Sequence, residues 1–215
     1  MKKEDFDELM QLLQNPTRRK ILEILSREEH YPLQISRTLN TSQQAVSKHL
    51  KTMERHGIVI SRSSKSERGG PPTKTYSLNS EFSVRIDLGP SLFETDVEEL
   101  EQEEVCCYPE LEDKISESDE DSFLEDRREV IQEIDSEIQD LERKRMHLLK
   151  LKEKALGQAF EHIHKRFEDY WERNLLYFVI KSGETDPEKI ARELRVREEE
   201  VKELIDKIKE RTDIW

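Results

Sequence analysis

The sequence predicts a mainly α-helical protein with one small β-hairpin. In residues 15–78, three apolar runs at helical spacing are followed by two short segments of alternating polarity. From residue 123 a longer stripe begins, with apolar residues three and four positions apart. The order helix, helix, helix, hairpin is what a winged helix-turn-helix needs. The predicted fold class is therefore an N-terminal winged helix-turn-helix with a small β-wing, a long coiled-coil helix and a small C-terminal helical unit.

The first three predicted helices have recognisable starts and inward faces. Pro16 suits the first position of a helix because its missing N–H would be unpaired there. For the third helix we expect Thr41 to act as the cap and Gln44 to reach back, forming a capping box. Gly57 is expected to end this helix. The apolar residues that predict the buried faces are Ile21, Leu22, Ile24 and Leu25, then Leu33, Ile35 and Leu39, then Val46, Leu50 and Met53.

The outward face of the third helix carries polar and cationic residues near its start. Such residues read base edges and phosphates, although the same pattern also fits a solvated helix face. A basic Gly-Gly-Pro-Pro loop lies between the two hairpin strands and predicts a wing that contacts phosphate or the minor groove. The predicted DNA-binding residues are Arg18, Arg19, Thr41, Ser42, Gln43, Gln44, Ser47, Lys48, Lys51, Arg55, Arg62, Lys65, Arg68 and Lys74.

The distribution of charge favours a polyanionic partner for the N-terminal region alone. Residues 1–80 contain 14 Lys and Arg against 9 Asp and Glu, a net charge of +5. The whole chain has a net charge of −13. A basic region inside an acidic protein indicates where double-stranded DNA would bind.

These segments resemble the ArsR-like winged-helix transcription regulators in their archaeal form. The segment NPTRRKILEIL resembles a helix of that family, AVSKHLKTMERHGIV its recognition helix and GGPPTKTYSL its wing. FSVRIDLGPSLFE resembles an extra strand and proline turn of archaeal members, among which heat-shock and sulfur-response regulators are similar to this chain. The resemblance covers residues 1–94. It implies a homodimer that binds a palindromic operator, usually as a repressor.

Two features of the family are missing near the recognition helix. The metal sensors use cysteine and histidine ligands, whereas this chain has only His49 and His56 there. Some archaeal relatives hold a Cys-x-x-Cys pair before the second helix, where this chain has Arg27, Glu28, Glu29 and His30. The resemblance therefore implies neither a metal site nor that redox switch.

Residues 95–122 are predicted to form an acidic flexible linker. Residues 81–126 contain 18 acidic and 2 basic residues, so this region has little apolar surface to bury. A plain solvated linker and a DNA-mimicking segment both fit this composition. The linker contains both cysteines, Cys106 and Cys107. They are either ordinary reduced thiols or a redox-active pair that cross-links subunits.

Residues 123–173 are predicted to form a long coiled-coil dimerisation helix. The stripe cannot remain exposed, so it pairs with a second copy or folds back on its own chain. A dimer matches the two-fold symmetry of operators. The predicted dimerisation residues are Leu124, Ile131, Ile134, Ile138, Leu141 and Leu148.

Residues 174–215 are predicted to form a small helical unit whose outline resembles a second helix-turn-helix. Asp186 is expected to cap a helix that begins at Pro187. The helix in the recognition position begins with Arg197 and three glutamates, and residues 183–215 carry a net charge of −3. This charge opposes phosphate binding and favours packing or contact with another protein.

The sequence contains no sign of catalysis. It lacks a phosphate-binding glycine motif, a nucleophile elbow and a His-Glu zinc motif, so we expect no enzymatic activity, no cofactor and no metal. Without a signal peptide or an apolar run of membrane length, the expected location is cytoplasmic. The sequence thus predicts a homodimeric DNA-binding transcription regulator. A structural or protein-interaction coiled-coil protein with vestigial or non-specific DNA binding is the alternative.

Overall fold

The computed structural model describes residues 3–64, 73–100, 108–116 and 122–212. The chain forms two compact units. The first comprises residues 1–86 and 94–104, and the second comprises residues 87–93 and 105–215. The structure confirms the predicted fold class, a mainly helical chain with an N-terminal helix-turn-helix and a small hairpin.

The first unit contains four helices followed by paired strands. The helices are α1 (Lys3–Leu13), α2 (Pro16–Leu25), α3 (Pro32–Thr38) and α4 (Gln43–Arg55). Strands β1 (Val59–Ser64) and β2 (Thr73–Leu78) pair antiparallel, with Val59 opposite Leu78 and Ser63 opposite Lys74. The main chains of His30, before α3, and Tyr76 exchange two hydrogen bonds, which anchor the hairpin to the helices.

One apolar core holds this unit together. Helix α1, which the sequence analysis does not include, contributes Leu9 and Leu12. Ile21 from α2 and Ile35 from α3 have no exposed surface. Burying an aliphatic side chain of this size contributes about 1.5–3 kcal/mol to folding. The remaining buried members are Leu25, Val46, Leu50, Met53, Ile58, Val59 and Tyr76.

Two further strands follow, so residues 82–94 contain one strand more than the sequence predicted. Strand β3 (Phe82–Gly89) pairs with β4 (Leu92–Glu99), so the expected extra strand and proline turn are half of a hairpin. Phe82, Val84 and Val97 pack on the core of the first unit. The tip of this hairpin, residues 87–93, belongs to the second unit.

The segment predicted as a linker contains more secondary structure than its composition suggests. Strand β4 extends to Glu99, and helix α5 (Pro109–Ser116) lies in the middle of the acidic region. The Lys114 ammonium pairs with the Glu133 carboxylate at 2.5 Å, so one of the few cations of this region ties α5 to the next helix. A contact between residues that lie 19 positions apart is not visible in a count of acidic residues.

The second unit is built on α6 (Phe123–Arg166), a helix of 44 residues. Helices α7 (Tyr170–Ser182), α8 (Pro187–Leu194) and α9 (Glu198–Lys209) follow it. The long helix ends seven residues before the predicted position, because Phe167 is buried in the core and Asp169 caps α7. As predicted, Asp186 caps α8 at Pro187, with its carboxylate accepting a hydrogen bond from the Glu188 amide.

A second apolar core joins the end of α6 to the three short helices. Its buried residues are Ile163, Phe167, Leu175, Leu176, Val179, Ile190, Ala191, Val201, Ile205 and Ile208. No helix in the described part of the chain is both long enough and apolar enough to cross a bilayer.

Candidate nucleic-acid interface

Helix α4 begins one residue later than the predicted capping box requires. The cap is Ser42, whose hydroxyl oxygen accepts a hydrogen bond from the Ala45 amide at 3.2 Å. The prediction that Thr41 and Gln44 form a reciprocal box is therefore wrong. Two consecutive hydroxyl residues precede this helix, and the backbone extends at the second, where Ser42 has ψ of 144°. The side chain of Gln44 is consequently not used in a cap.

The two faces of α4 have opposite roles. Val46, Leu50 and Met53 have no exposed surface and fix the helix on the core. The opposite face exposes Lys48 and Lys51, which lie three positions apart and therefore project in similar directions. Gly57, with φ of +72°, ends the helical segment as predicted and turns the chain into β1. The core residues thus determine which side chains point outward.

The outward side chains of α4 are not engaged within the protein. Among the residues that the structure describes, Gln43, Gln44, Ser47, Lys48 and Lys51 form no side-chain hydrogen bond or ion pair. They line an open groove of about 820 Å³ together with Thr52, Glu54 and Arg55. Unpaired amide, hydroxyl and ammonium groups along one helix face are suited to base edges and phosphates.

Thr52 also lines the groove, although the sequence patterns did not predict it as a site residue. Its hydroxyl donates to the Lys48 carbonyl at 3.1 Å and lies 3.5 Å from an Arg55 guanidinium nitrogen. In the sequence, Thr52 lies four residues after Lys48. Residues at this spacing are one helical turn apart and share a face of the helix, which was the only signal that could have predicted it.

Arg18 and Arg19 occupy a different position from the remaining predicted residues. The Arg18 guanidinium donates to the carbonyls of Gln11 and Leu12, and that of Arg19 donates to the carbonyls of Leu13 and Gln14. These carbonyls belong to the last residues of α1 and to Gln14, which follows it, and they have no partner within the helix. One terminal nitrogen of each guanidinium therefore holds α1 against α2, while Arg18 Nε is buried without a hydrogen-bond partner among the described residues and the Arg19 side chain is exposed.

The hairpin of β1 and β2 carries two of the predicted cations. Arg62 lies on β1 with its guanidinium 3.6 Å from the Glu29 carboxylate, and its side chain is 71% exposed. On β2, Lys74 is exposed and its ammonium lies 3.5 Å from the Ser61 hydroxyl. Lys65 and Arg68, predicted at the tip of the wing, lie outside the described residues.

His49 is a titratable group of α4 whose pKa is shifted by its surroundings. Burial, reinforced by the positive charges of Arg18 and Lys48, lowers the pKa of the His49 imidazole below its usual value. The imidazole therefore stays neutral near pH 7. No cluster of three metal-ligating side chains exists among the described residues, and Cys106 and Cys107 lie outside them.

Residues 12–62 match the family model described as a helix-turn-helix domain. This segment is a helix-turn-helix domain. It contains the end of α1, all of α2, α3 and α4, and the first four residues of β1. A comparison with curated proteins finds no match.

Several solved structures are similar to part of the chain. HlyU from Vibrio cholerae N16961 is 32% identical over 37% of this chain and 83% of its own, with a TM-score of 0.32. A transcriptional regulator HlyU from Vibrio vulnificus CMCP6 is 32% identical over 34% and 71%, with a TM-score of 0.30. The adhesin competence repressor AdcR from Streptococcus pyogenes is 23% identical over 30% and 46%, with a TM-score of 0.27. Each likeness is confined to about a third of this chain.

Outside the helix-turn-helix domain, the predicted dimerisation residues all lie on α6. Leu124 is 82% exposed and Leu148 is 64% exposed, while Ile131, Ile138 and Leu141 are exposed to between 44% and 56%. Ile134 is half-buried. The stripe is therefore present on the surface of the single chain.

The helix at the recognition position of the C-terminal unit presents acidic groups. Helix α9 begins with Glu198, Glu199 and Glu200, and its cap residue is Arg197. Glu198 pairs with Lys202 at 2.6 Å, one turn further along. A phosphate approaching this end would meet carboxylates first, in contrast to the ammonium groups of α4.

Proposed function

We propose that this protein is a DNA-binding transcription regulator that acts as a homodimer. Helix α4 enters the major groove, Gln44 and Ser47 read base edges, and Lys48 and Lys51 neutralise phosphates. The wing contacts the backbone or the minor groove beside it through Arg62 and Lys74, together with Lys65 and Arg68. The observation that carries this proposal is the set of unengaged amide, hydroxyl and ammonium groups along the outer face of α4.

The placement of the cations supports a restricted DNA surface. Arg18 and Arg19 close α1, so we leave them out of the proposed contacts. Thr41 and Ser42 precede α4, where backbone amides and hydroxyls commonly meet a phosphate, and Arg55 lies at its far end. The proposed surface is therefore one helix face and one hairpin of the helix-turn-helix domain.

We further propose that a second copy pairs through the exposed stripe of α6. Leu124, Ile131, Ile134, Ile138, Leu141 and Leu148 would then be the dimerisation residues. A two-fold dimer presents two reading helices, so its operator would be palindromic. The resemblance to ArsR-like regulators supports repression as the outcome of binding.

The exposed stripe of α6 also favours a second candidate, a coiled-coil interaction protein whose DNA binding is weak and non-specific. The two candidates differ in sequence preference. In a specific regulator, Gln44→Ala or Ser47→Ala should weaken binding to the preferred duplex by about 1–3 kcal/mol while leaving random duplex unaffected.

The test uses the full chain and two labelled duplexes. One is the best sequence selected from a random pool, and the other has a scrambled sequence. Gln139→Ala, at an exposed position of α6, is the matched amide control. Equal affinity of the wild type for both duplexes would reject specific regulation and leave the interaction protein.

A further inference from the structure

Helix α6 exposes more apolar surface than a solvated helix needs. Leu124, Ile131 and Ile138 follow one another at intervals of seven residues, and Leu141 and Leu148 do the same. These two series form the a and d positions of a heptad pattern, which is the seam of a coiled coil. We take this seam as the surface that a second copy covers in the dimer proposed above.

Two arginines interrupt the seam, and both are held by their own chain. The Arg127 guanidinium donates to the Lys114 carbonyl at 3.1 Å and stacks on the Phe123 ring, 4.9 Å from its centroid. The Arg145 guanidinium binds both oxygens of the Asp87 carboxylate, at 2.9 and 3.0 Å. The Arg145 charge is therefore paired with a carboxylate of its own chain, and the Arg127 guanidinium is held by a carbonyl and an aromatic ring beside the seam.

The charges of α6 are segregated along its length. Residues 123–142 contain eight acidic and two basic residues, whereas residues 143–166 contain eight basic and two acidic residues. The helix macrodipole favours acids at the start and bases at the end, but its effect is confined to the first and last turns. A separation extending over twenty residues on each side requires another explanation.

We propose that two copies of α6 pair antiparallel, centred near residue 136. Leu124 then faces the partner's Leu148, Ile131 faces the partner's Leu141, and Ile134 faces the partner's Ile138. The same register places Arg127 opposite the partner's Arg145, and each of these guanidinium groups is already held by its own chain. The acidic half of each helix runs along the basic half of the other, so the segregated charges attract one another.

Only the antiparallel orientation gives attractive pairs between the residues that flank the seam. In the antiparallel pair, Arg128 lies beside the partner's Glu142 on each side of the interface, while Asp135 and Glu137 each lie beside their own copies at the centre. A parallel pair would instead place Glu137 beside the partner's Glu142 twice and bring the two acidic halves together. Flanking charges of this kind set the orientation of coiled coils.

Spin labels at three exposed positions outside the seam test the orientation. Glu125→Cys, Ser136→Cys and Lys150→Cys are prepared separately in the full chain carrying Cys106→Ser and Cys107→Ser. In an antiparallel pair the axial separations are about 33 Å at residue 125, near zero at residue 136 and about 42 Å at residue 150. The distance measured by double electron–electron resonance should therefore be shortest in the middle and longer at both ends.

The inference rests on the proposed dimer, and light scattering on the labelled proteins separates the two claims. A monomer would reject the dimer itself. A dimer with similar short distances at all three positions would be parallel and would overturn the antiparallel pairing. A dimer with long distances at all three positions would use another surface and would also overturn it. Circular dichroism on each variant confirms that the helices remain folded.

Discussion

Replacing Lys48 and Lys51 together by alanine should make DNA binding less sensitive to salt. Both ammonium groups lie on the exposed face of α4 and, among the described residues, neither takes part in an ion pair that the substitution would break. Alanine favours helix, so α4 itself should remain intact. The expected change therefore comes from lost phosphate contacts and the counterions that they release.

The magnitude follows from the number of contacts. Each neutralised phosphate contributes about 0.9 to the slope of log K against log salt. Two lysines in each of two subunits account for up to four contacts, so the slope should become less steep by about 3.6. Between about 50 and 200 mM salt, the wild type should then lose roughly 100-fold more affinity than the variant does.

The assay is fluorescence anisotropy with a labelled duplex at four or more salt concentrations. Lys207→Ala with Lys209→Ala, at two exposed positions of α9, removes the same charge from the C-terminal unit and is the control. If both double variants changed the slope equally, net charge rather than the α4 face would govern binding. An unchanged slope in the α4 variant would remove these lysines from the DNA surface.

Three further predictions test assembly and folding. Ile134→Lys with Ile138→Lys should convert a dimer to monomers in light scattering, whereas Ser136→Lys with Gln139→Lys, on exposed polar positions, should not. The lowered pKa of His49 means that the unfolded chain takes up its proton first, so the free energy of unfolding should fall as pH drops below about 6.5. A His49→Gln variant should show a flatter profile over that range in urea titrations, and an unchanged profile would exclude this histidine as the cause. Asn15→Ala removes the oxygen that accepts hydrogen bonds from the Thr17 and Arg18 amides at 3.0 and 3.1 Å. In urea denaturation the free energy of unfolding should fall by about 1 kcal/mol. An unchanged free energy of unfolding would mean that the cap is dispensable.

Local signals in the sequence predicted the helices that have clear starts. Pro16 after Asn15 and Pro187 after Asp186 each mark a first helical residue, and both helices begin there. The apolar spacing of Val46, Leu50 and Met53 likewise predicted the buried face of α4, because helical period and burial are directly linked. These are short-range relations, and a single sequence contains them.

Features that depend on tertiary contacts were not predictable in the same way. One guanidinium nitrogen of Arg18 and one of Arg19 donate to carbonyls at the end of α1, a helix that was not predicted from the sequence. The choice of Ser42 over Thr41 as a cap depends on where the backbone extends. Strand β4 was not predicted because half of its residues, LFETDVEE, are acidic, and an acidic composition is typical of a linker.

The central claim is that the outer face of α4 reads DNA sequence, and its most direct test is selection of bound duplexes by the unmodified chain. From a random pool at about 100–150 mM salt, repeated selection should enrich a two-fold symmetric motif with half-sites about one helical turn apart. The Gln44→Ala variant should enrich a motif altered within each half-site. Recovery of no motif by the wild type, or of an identical motif by the variant, would contradict the assignment of α4 as the reading helix.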